Sequence, residues 1–101
     1  MKKKSFNQRV YNKVRKIPYG KVSTYGAIAH ALSSRAYRAV GNAMNKNPNA
    51  PEVPCHRVIK STGEIGGFAS GIKNKIILLK KEGVIIQDKK IDLKKYRYNF
   101  Y

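Results

Sequence analysis

Three of the chain's four prolines fall at positions 48, 51 and 54. Each locks its own φ and withholds a backbone donor, so the stretch from Asn45 to Pro54 cannot continue a helix or enter a sheet. It is a stiff loop, and stiff loops hold functional groups in place. This one delivers the chain into Pro54-Cys55-His56-Arg57-Val58, where the single cysteine stands beside an imidazole. A lone thiol in that setting is a candidate nucleophile. The alternatives are an inert buried cysteine and a capping histidine.

Before the loop the pattern is helical. Phe6, Val10, Val14 and Ile17 recur at helical spacing with Lys and Arg between them, and Pro18-Tyr19-Gly20 supplies the stop. Ser23 is placed to cap a second helix, striped by Tyr25, Ile28, Ala29 and Leu32. Ser33-Ser34 breaks it, and Ser34 can cap a third helix running to about Asn45. On that helix Tyr37, Val40 and Met44 share one face, suited to the core. Arg35, Arg38, Asn42 and Asn45 share the other. Two helices joined by a short turn, the second with an outward Arg/Asn stripe, have the form of a helix-turn-helix. A plain solvated face is the alternative.

After the loop, Val58-Ile59, Ser61-Thr62-Gly63 and Glu64-Ile65 read as a small hairpin. Gly66 to Gly71 reads as a flexible loop. Ile72, Ile76 and Leu79 stripe a last long helix that stops near Glu82-Gly83. Residues 84–93 read as a second hairpin before a basic aromatic tail. The expected architecture is mainly α with small β-hairpins, a winged helix-turn-helix-like DNA-binding domain. One domain spans residues 1–101, with a basic tail at 1–4.

Composition narrows the chemistry. Twenty-two Lys and Arg against 5 acids give a formal charge of +17. So large an imbalance predicts salt-dependent attraction to polyanions, nucleic acid first, ahead of an acidic membrane surface or acidic protein. Lysine-favouring codon usage explains only part of it. An apolar share of 42% supplies a core. One cysteine cannot form an internal disulfide, which points to a reducing compartment. With His30 and His56 as the only histidines, the ligands for a Cys-rich zinc site are missing. Met1-Lys2-Lys3-Lys4 has no apolar run behind it, so neither a signal peptide nor a membrane span is expected.

A free thiol is mostly protonated at neutral pH and attacks only as thiolate. His56 is the candidate base, directly or through a water, once an acceptor orients it. Of the five acids, Glu52, Glu64, Glu82, Asp88 and Asp92, Glu82 at the end of the last helix is a good candidate acceptor.

From Ser5 to Tyr98 the chain resembles the C-terminal domain of O6-alkylguanine-DNA alkyltransferases. Pro54-Cys55-His56-Arg57-Val58-Ile59 matches the family's active-site run throughout. Arg38-Ala39-Val40-Gly41 and Asn47-Pro48 match its recognition helix and hinge. Val22-Ser23-Thr24-Tyr25, Glu82-Gly83-Val84 and Ile91-Asp92-Leu93 match further blocks in order. The resemblance implies direct-reversal DNA repair. The protein would bind duplex DNA in the minor groove, flip out the O6-alkylguanine, and transfer its alkyl group irreversibly to Cys55, once per molecule.

By position the resemblance makes His56 the base through a water, Glu82 its orienting acid, and Asn47 a brace for the turn. Tyr25 would push the nucleotide out at its phosphate and hydrogen-bond the purine. Arg38 would fill the vacated stack, and Ser61 would meet a phosphate. Carbonyls of Cys55 and Val58 would accept from the guanine amino group, with Phe68 and Ala69 closing the pocket. Small residues Ala39, Gly41 and Ala43 would let the helix approach a narrow groove. No cofactor, metal or membrane is implied. A monomer is expected, cytoplasmic or, in a eukaryote, nuclear.

The chain departs from the family in places. Because the match starts close to residue 1, the N-terminal domain that most members carry is expected to be absent. Asn42 stands where relatives have Gly or Ala, Phe68 where many have Tyr, and Ala69 where Ser is common. The turn before Arg35 is one residue shorter than in some relatives. The competing reading is a non-enzymatic alkyltransferase-like lesion binder, though those proteins typically carry tryptophan at the position of Cys55. An architectural DNA-binding protein with an incidental cysteine comes third. A thiol-disulfide enzyme lacks a resolving cysteine.

Overall fold

A computed structural model describes residues 5–46, 53–66 and 71–100. Helix α1 (Phe6–Val14) opens on a capping box in which Ser5 Oγ accepts from Gln8 N and the Gln8 side chain accepts from Ser5 N. Its apolar period buries Val10 and Val14, and Ile17 follows in the same core. Strand β1 (Ser23–Thr24) leads directly into α2 (Tyr25–Ala31), and α3 runs from Tyr37 to Asn45. The three helices pack together around Val10, Val14, Ile28, Val40, Ala43 and Met44. Tyr11 ties α1 to α3 by donating its hydroxyl to the Ala43 carbonyl at 2.8 Å.

The second half wraps this bundle. Cys55–Arg57 form one 3-10 turn, and β2 (Val58–Ile59) follows at once. Helix α4 spans Ile72–Lys81, and β3 (Ile86–Gln87) with β4 (Lys90–Ile91) makes an antiparallel hairpin. Asp88 and Lys89 turn that hairpin with φ of 51° and 61°, the left-handed pair that a tight two-residue hairpin requires. A short α5 (Leu93–Tyr96), capped by Asp92, precedes the final segment.

The helical, small-sheet architecture and the helix-turn-helix pair α2–α3 agree with the sequence reading. Several details do not. Val58-Ile59 forms no hairpin with Glu64-Ile65. It pairs in parallel with β1, Ser23 opposite Val58 and Thr24 opposite Ile59. Both Val58 and Ile59 are fully buried, and a strand covered on both faces suits parallel pairing better than a one-sided hairpin. Residues 60–64 close a turn instead, through Lys60 N to Glu64 O and Gly63 N to Lys60 O. A Cβ on Gly63 would sit 2.8 Å from the Ile91 carbonyl, so the turn presses directly against β4.

The helix starts also shift. Thr24, not Ser23, caps α2, accepting from Ala27 N at 3.0 Å. Ser34 caps nothing: its hydroxyl accepts from Ala36 N two residues on, and α3 begins only at Tyr37. Arg35 is therefore off the helix. Tyr37, at the first helical position beyond the packed bundle, is 54% exposed rather than in the core. Ala43 is buried, so of the small residues only Ala39 and Gly41 remain for a groove. In α4, Ile72 is exposed and Lys75 is fully buried in its place.

Candidate functional site

The 3-10 turn sits where two distant pieces converge. Parallel pairing of β1 with β2 sets Tyr25, the residue after Thr24, beside the chain that carries Cys55. At the far end, α4 stops by a glycine motif: Val84 N reaches Leu79 O and Gly83 N reaches Lys80 O, with Gly83 at φ 85°. That stop leaves Glu82 as the cap residue, turned back toward His56 and Arg57.

Glu82 is saturated with donors. His56 Nε2 lies 2.7 Å from Oε2, and Arg57 grips both oxygens, Nε to Oε1 and Nη2 to Oε2, each at 2.8 Å. Gly20 N adds a bond to Oε1 at 3.1 Å. Arg57 also donates from Nη1 to the Ile17 carbonyl at 2.8 Å, and its guanidinium lies over the Tyr19 ring. The two-pronged grip is the strong geometry for an arginine–carboxylate pair. Burial pushes the Glu82 carboxyl up, but the bonds from Arg57, His56 and Gly20 outweigh it, and its pKa is lowered.

His56 is 4% exposed. Burial lowers its pKa, more than the Glu82 hydrogen bond and charge raise it. The ring is then neutral near pH 7, with Nε2–H donating to the carboxylate and the Nδ1 lone pair left to accept a proton. A neutral, oriented imidazole next to a thiol is what a general base needs.

On the other side of Cys55 stands Lys75, fully buried, donating from Nζ to the carbonyls of Val58 and Ile65, both at 2.7 Å. Burial drags its pKa down to about 8, and the charge of Cys55 works the other way. The Tyr25 ring lies 5.9 Å from Nζ. Burial raises the pKa of Tyr25, with the Cys55 charge adding to it, so its phenol stays a donor. Tyr11 shifts the same way for the same two reasons. Cys55 itself is free and only 5% exposed, within electrostatic reach of Tyr11, Tyr25 and Lys75.

The sequence-predicted residues thus divide. Cys55, His56 and Glu82 come together, with Tyr25 close by. Val58 contributes only its backbone, since its side chain is in the core and its carbonyl already accepts from Lys75. The Cys55 carbonyl accepts from Val58 N. Tyr25, Gly41 and Ser61 line one cleft of about 410 Å³ with Gly26, Tyr37 and Lys60. Among the described residues no acidic side chain lines it, and Cys55 is not part of its lining. Arg38 and Asn42 are exposed on α3, and Ala39 is half-buried. Asn47, Phe68 and Ala69 lie outside the described residues.

Four contributors escaped the sequence reading: Arg57, Gly20, Tyr11 and Lys75. Arg57 stands inside the quoted motif, which gives it no role of its own. Lys75 carried a visible signal, because it sits three residues after Ile72 and four before Leu79, in phase with the apolar stripe. Among the described residues no group of three or more His, Cys, Asp and Glu could hold a metal. No helix among them is long and apolar enough to cross a membrane.

The chain was compared with known proteins. The family described as 6-O-methylguanine DNA methyltransferase, DNA binding domain, matches residues 5–84. A methylated-DNA–protein-cysteine methyltransferase of Methanosarcina acetivorans is 51% identical over 79 residues, covering 77% of this chain and 51% of the relative. S. pombe Atl1, solved in complex with damaged DNA containing O6-carboxymethylguanine, superposes with a TM-score of 0.86 at 37% identity, over 98% of this chain and 99% of that one. Mycobacterium tuberculosis OGT in complex with DNA gives 0.76 at 44% identity, over 80% of this chain and 51% of that one. The chain spans between 30% and 52% of the length of the first curated relatives it matches. With the family matched over residues 5–84 and a relative 51% identical over 77% of this chain, the chain belongs to the family of 6-O-methylguanine DNA methyltransferase DNA-binding domains.

Proposed function

We propose that this protein repairs DNA by direct reversal, taking the alkyl group of an O6-alkylguanine onto Cys55. In the proposed reaction His56, through a water, accepts the thiol proton. The sulfur attacks the alkyl carbon, an S–C bond forms, and the O6–C bond breaks with its electron pair left on the guanine. His56, again through the water, passes that proton to the departing guanine, which leaves neutral. The products are guanine and a thioether, which thiol exchange cannot reverse, so each molecule acts once. The single observation that carries this reading is a buried thiol one residue before a buried imidazole whose Nε2 is held 2.7 Å from the Glu82 carboxylate.

Other residues supply what that chemistry lacks. Lys75, a buried ammonium within electrostatic reach of Cys55, supplies positive charge near the reacting sulfur in a medium where charge interactions are strong. Tyr25, with a phenol that stays protonated, can donate to the purine. Arg38, exposed on α3, would enter the stack once the base has left, and flipping an ill-paired lesion costs about a few kcal/mol. The lysines and arginines hold phosphates without regard to sequence. Asn47, Phe68 and Ala69 keep their expected roles as brace and pocket wall, and residues 1–101 work as one catalytic and DNA-binding unit. The proposed partner is double-stranded DNA in its minor groove.

A second reading, lesion binding without transfer, draws on the whole-length likeness to S. pombe Atl1. One experiment separates the two. The protein is incubated with duplex DNA containing O6-methylguanine and weighed intact. A gain of one methyl group, located on Cys55 and absent from Cys55→Ala, is expected. Tight lesion binding with no mass gain would overturn the transfer reading in favour of the second.

A further inference from the structure

The family match ends at residue 84, yet the segment after it helps build a second cleft. After α5 the chain returns to β1: Val22 N donates to Tyr96 O at 2.9 Å, and Tyr98 N donates to Val22 O at 2.8 Å. Arg97 pairs with Val22 in a parallel bridge. The Tyr98 and Phe100 rings meet edge to face at 5.2 Å and both pack on the helical core. The backbone of this segment is therefore fixed, while the Arg97 and Asn99 side chains remain exposed.

Those side chains line a cleft of about 300 Å³ with His30 of α2 and Ser61 of the turn after β2. It adjoins the larger cleft, since Gly26 and Ser61 border both. The two differ in chemistry. The larger cleft presents the Tyr25 and Tyr37 rings and glycine backbone, with Lys60, Ser61 and Thr62 at one side. The smaller one presents a guanidinium, an amide, an imidazole and two hydroxyls, with no acidic residue in its lining among the described residues. Arg97 forms no ion pair among the described residues. Its aromatic members are committed to packing, so the cleft suits a phosphodiester better than a base.

We propose that this cleft binds the sugar-phosphate backbone of duplex DNA, with Arg97 as the principal phosphate ligand and Ser61 at the border shared with the larger cleft. This inference rests on the DNA-binding part of the function proposed above. It lengthens the contacted track past the recognition helix, onto a segment that the family description does not include. Arg97 positions DNA and takes no part in the transfer.

The test is the salt dependence of binding to an unmodified duplex, for wild type, Arg97→Ala and Arg97→Lys. Each phosphate neutralised contributes about 0.9 to the slope of log K against log salt. Arg97→Ala is expected to flatten the slope by about 1 and to weaken binding several-fold at low salt. Arg97→Lys keeps the slope, because a point charge still neutralises a phosphate. Thermal stability is expected to stay unchanged, as the side chain is exposed. An unchanged slope and affinity in Arg97→Ala would overturn the inference. Methyl transfer is read separately, as Cys55 mass gain at saturating DNA. A wild type that binds duplex with the expected Arg97-dependent slope but gains no mass would sink the transfer reading and leave this one standing. A wild type that binds no duplex at all would sink both.

Discussion

Glu82 and Lys75 flank the same 3-10 turn, and both are buried charges, but the protein accommodates them in opposite ways. Glu82 receives donors from His56, Arg57 and Gly20, enough to overcome the cost of burial and lower its pKa. Lys75 rests on the carbonyl dipoles of Val58 and Ile65, and burial still pulls it down to about 8. One charge is matched and structural. The other is held at a cost, and charges held at a cost concentrate where chemistry needs them. The difference assigns separate tasks: the Glu82 side sets the tautomer and direction of His56, and the Lys75 side sets the electrostatics around the sulfur.

The largest expected effect comes from Glu82→Gln. The amide offers N–H donors toward Arg57 and His56, which are donors themselves, and leaves the guanidinium without its counter-charge. Breaking such a buried pair costs about 3 kcal/mol, read by denaturant unfolding. Losing the His56 orientation slows transfer by about 100-fold. The acid limb should also flatten. In the wild type the lowered Glu82 pKa gives stability present above the ordinary carboxylate range and lost as pH falls through the folded value. The lowered His56 pKa acts in the same direction, because below its ordinary value the unfolded chain takes up the proton more readily. Wild-type stability retained in Glu82→Gln would show the matched charge to be dispensable and erase the contrast with Lys75.

Lys75 is the sharper probe of the other half. Its pKa falls from 10.5 unfolded to about 8 folded. Between those values the unfolded chain binds more protons, so stability rises with pH across that window and the burden of the buried ammonium is lifted. The full gain is about 3 kcal/mol at about 1.4 kcal/mol per pH unit. Lys75→Met keeps the bulk and removes the charge. Its stability should lack this rise, and its Cys55 should alkylate more slowly at neutral pH. An identical alkaline profile in the two proteins would mean that Lys75 is not carrying a buried charge.

This contrast explains what was readable in the sequence. Val10, Val14 and Ile17 announce α1 because a helix against a core imposes its period on adjacent residues. Cys55, His56 and Glu82 were readable through matched motifs, and Gly83 through the stop it makes. What failed was long-range or ambiguous in type. Val58 and Ile59 were read as pairing locally, but their partner is β1, far back in the chain, and no local pattern encodes that parallel register. Lys75 was overlooked because lysine is so abundant here that one more looked like surface, although its phase was that of Leu79. Tyr37 fits the apolar phase of α3 but lies past the edge of the bundle, where phase no longer means burial.

The smallest effect concerns neighbouring hydroxyls that the sequence reading interchanged, and it supplies a third way of handling buried polarity. Thr24 Oγ1 accepts from Ala27 N and caps α2. Ser23, one residue earlier, is fully buried and its Oγ has no hydrogen-bond partner among the described residues. Thr24→Ala should therefore cost about 1 kcal/mol, the ordinary loss of an N-cap. Ser23→Ala should cost nothing or stabilise by a few tenths of a kcal/mol, since it removes a polar atom whose desolvation is uncompensated. The reverse order in thermal unfolding would make Ser23 the cap and shift the start of α2. The point reaches beyond stability, because Tyr25 follows directly on this pair. If Ser23→Ala is the more stable protein yet transfers more slowly, the hydroxyl opposite Val58 is polarity kept at a cost, unlike the matched Glu82.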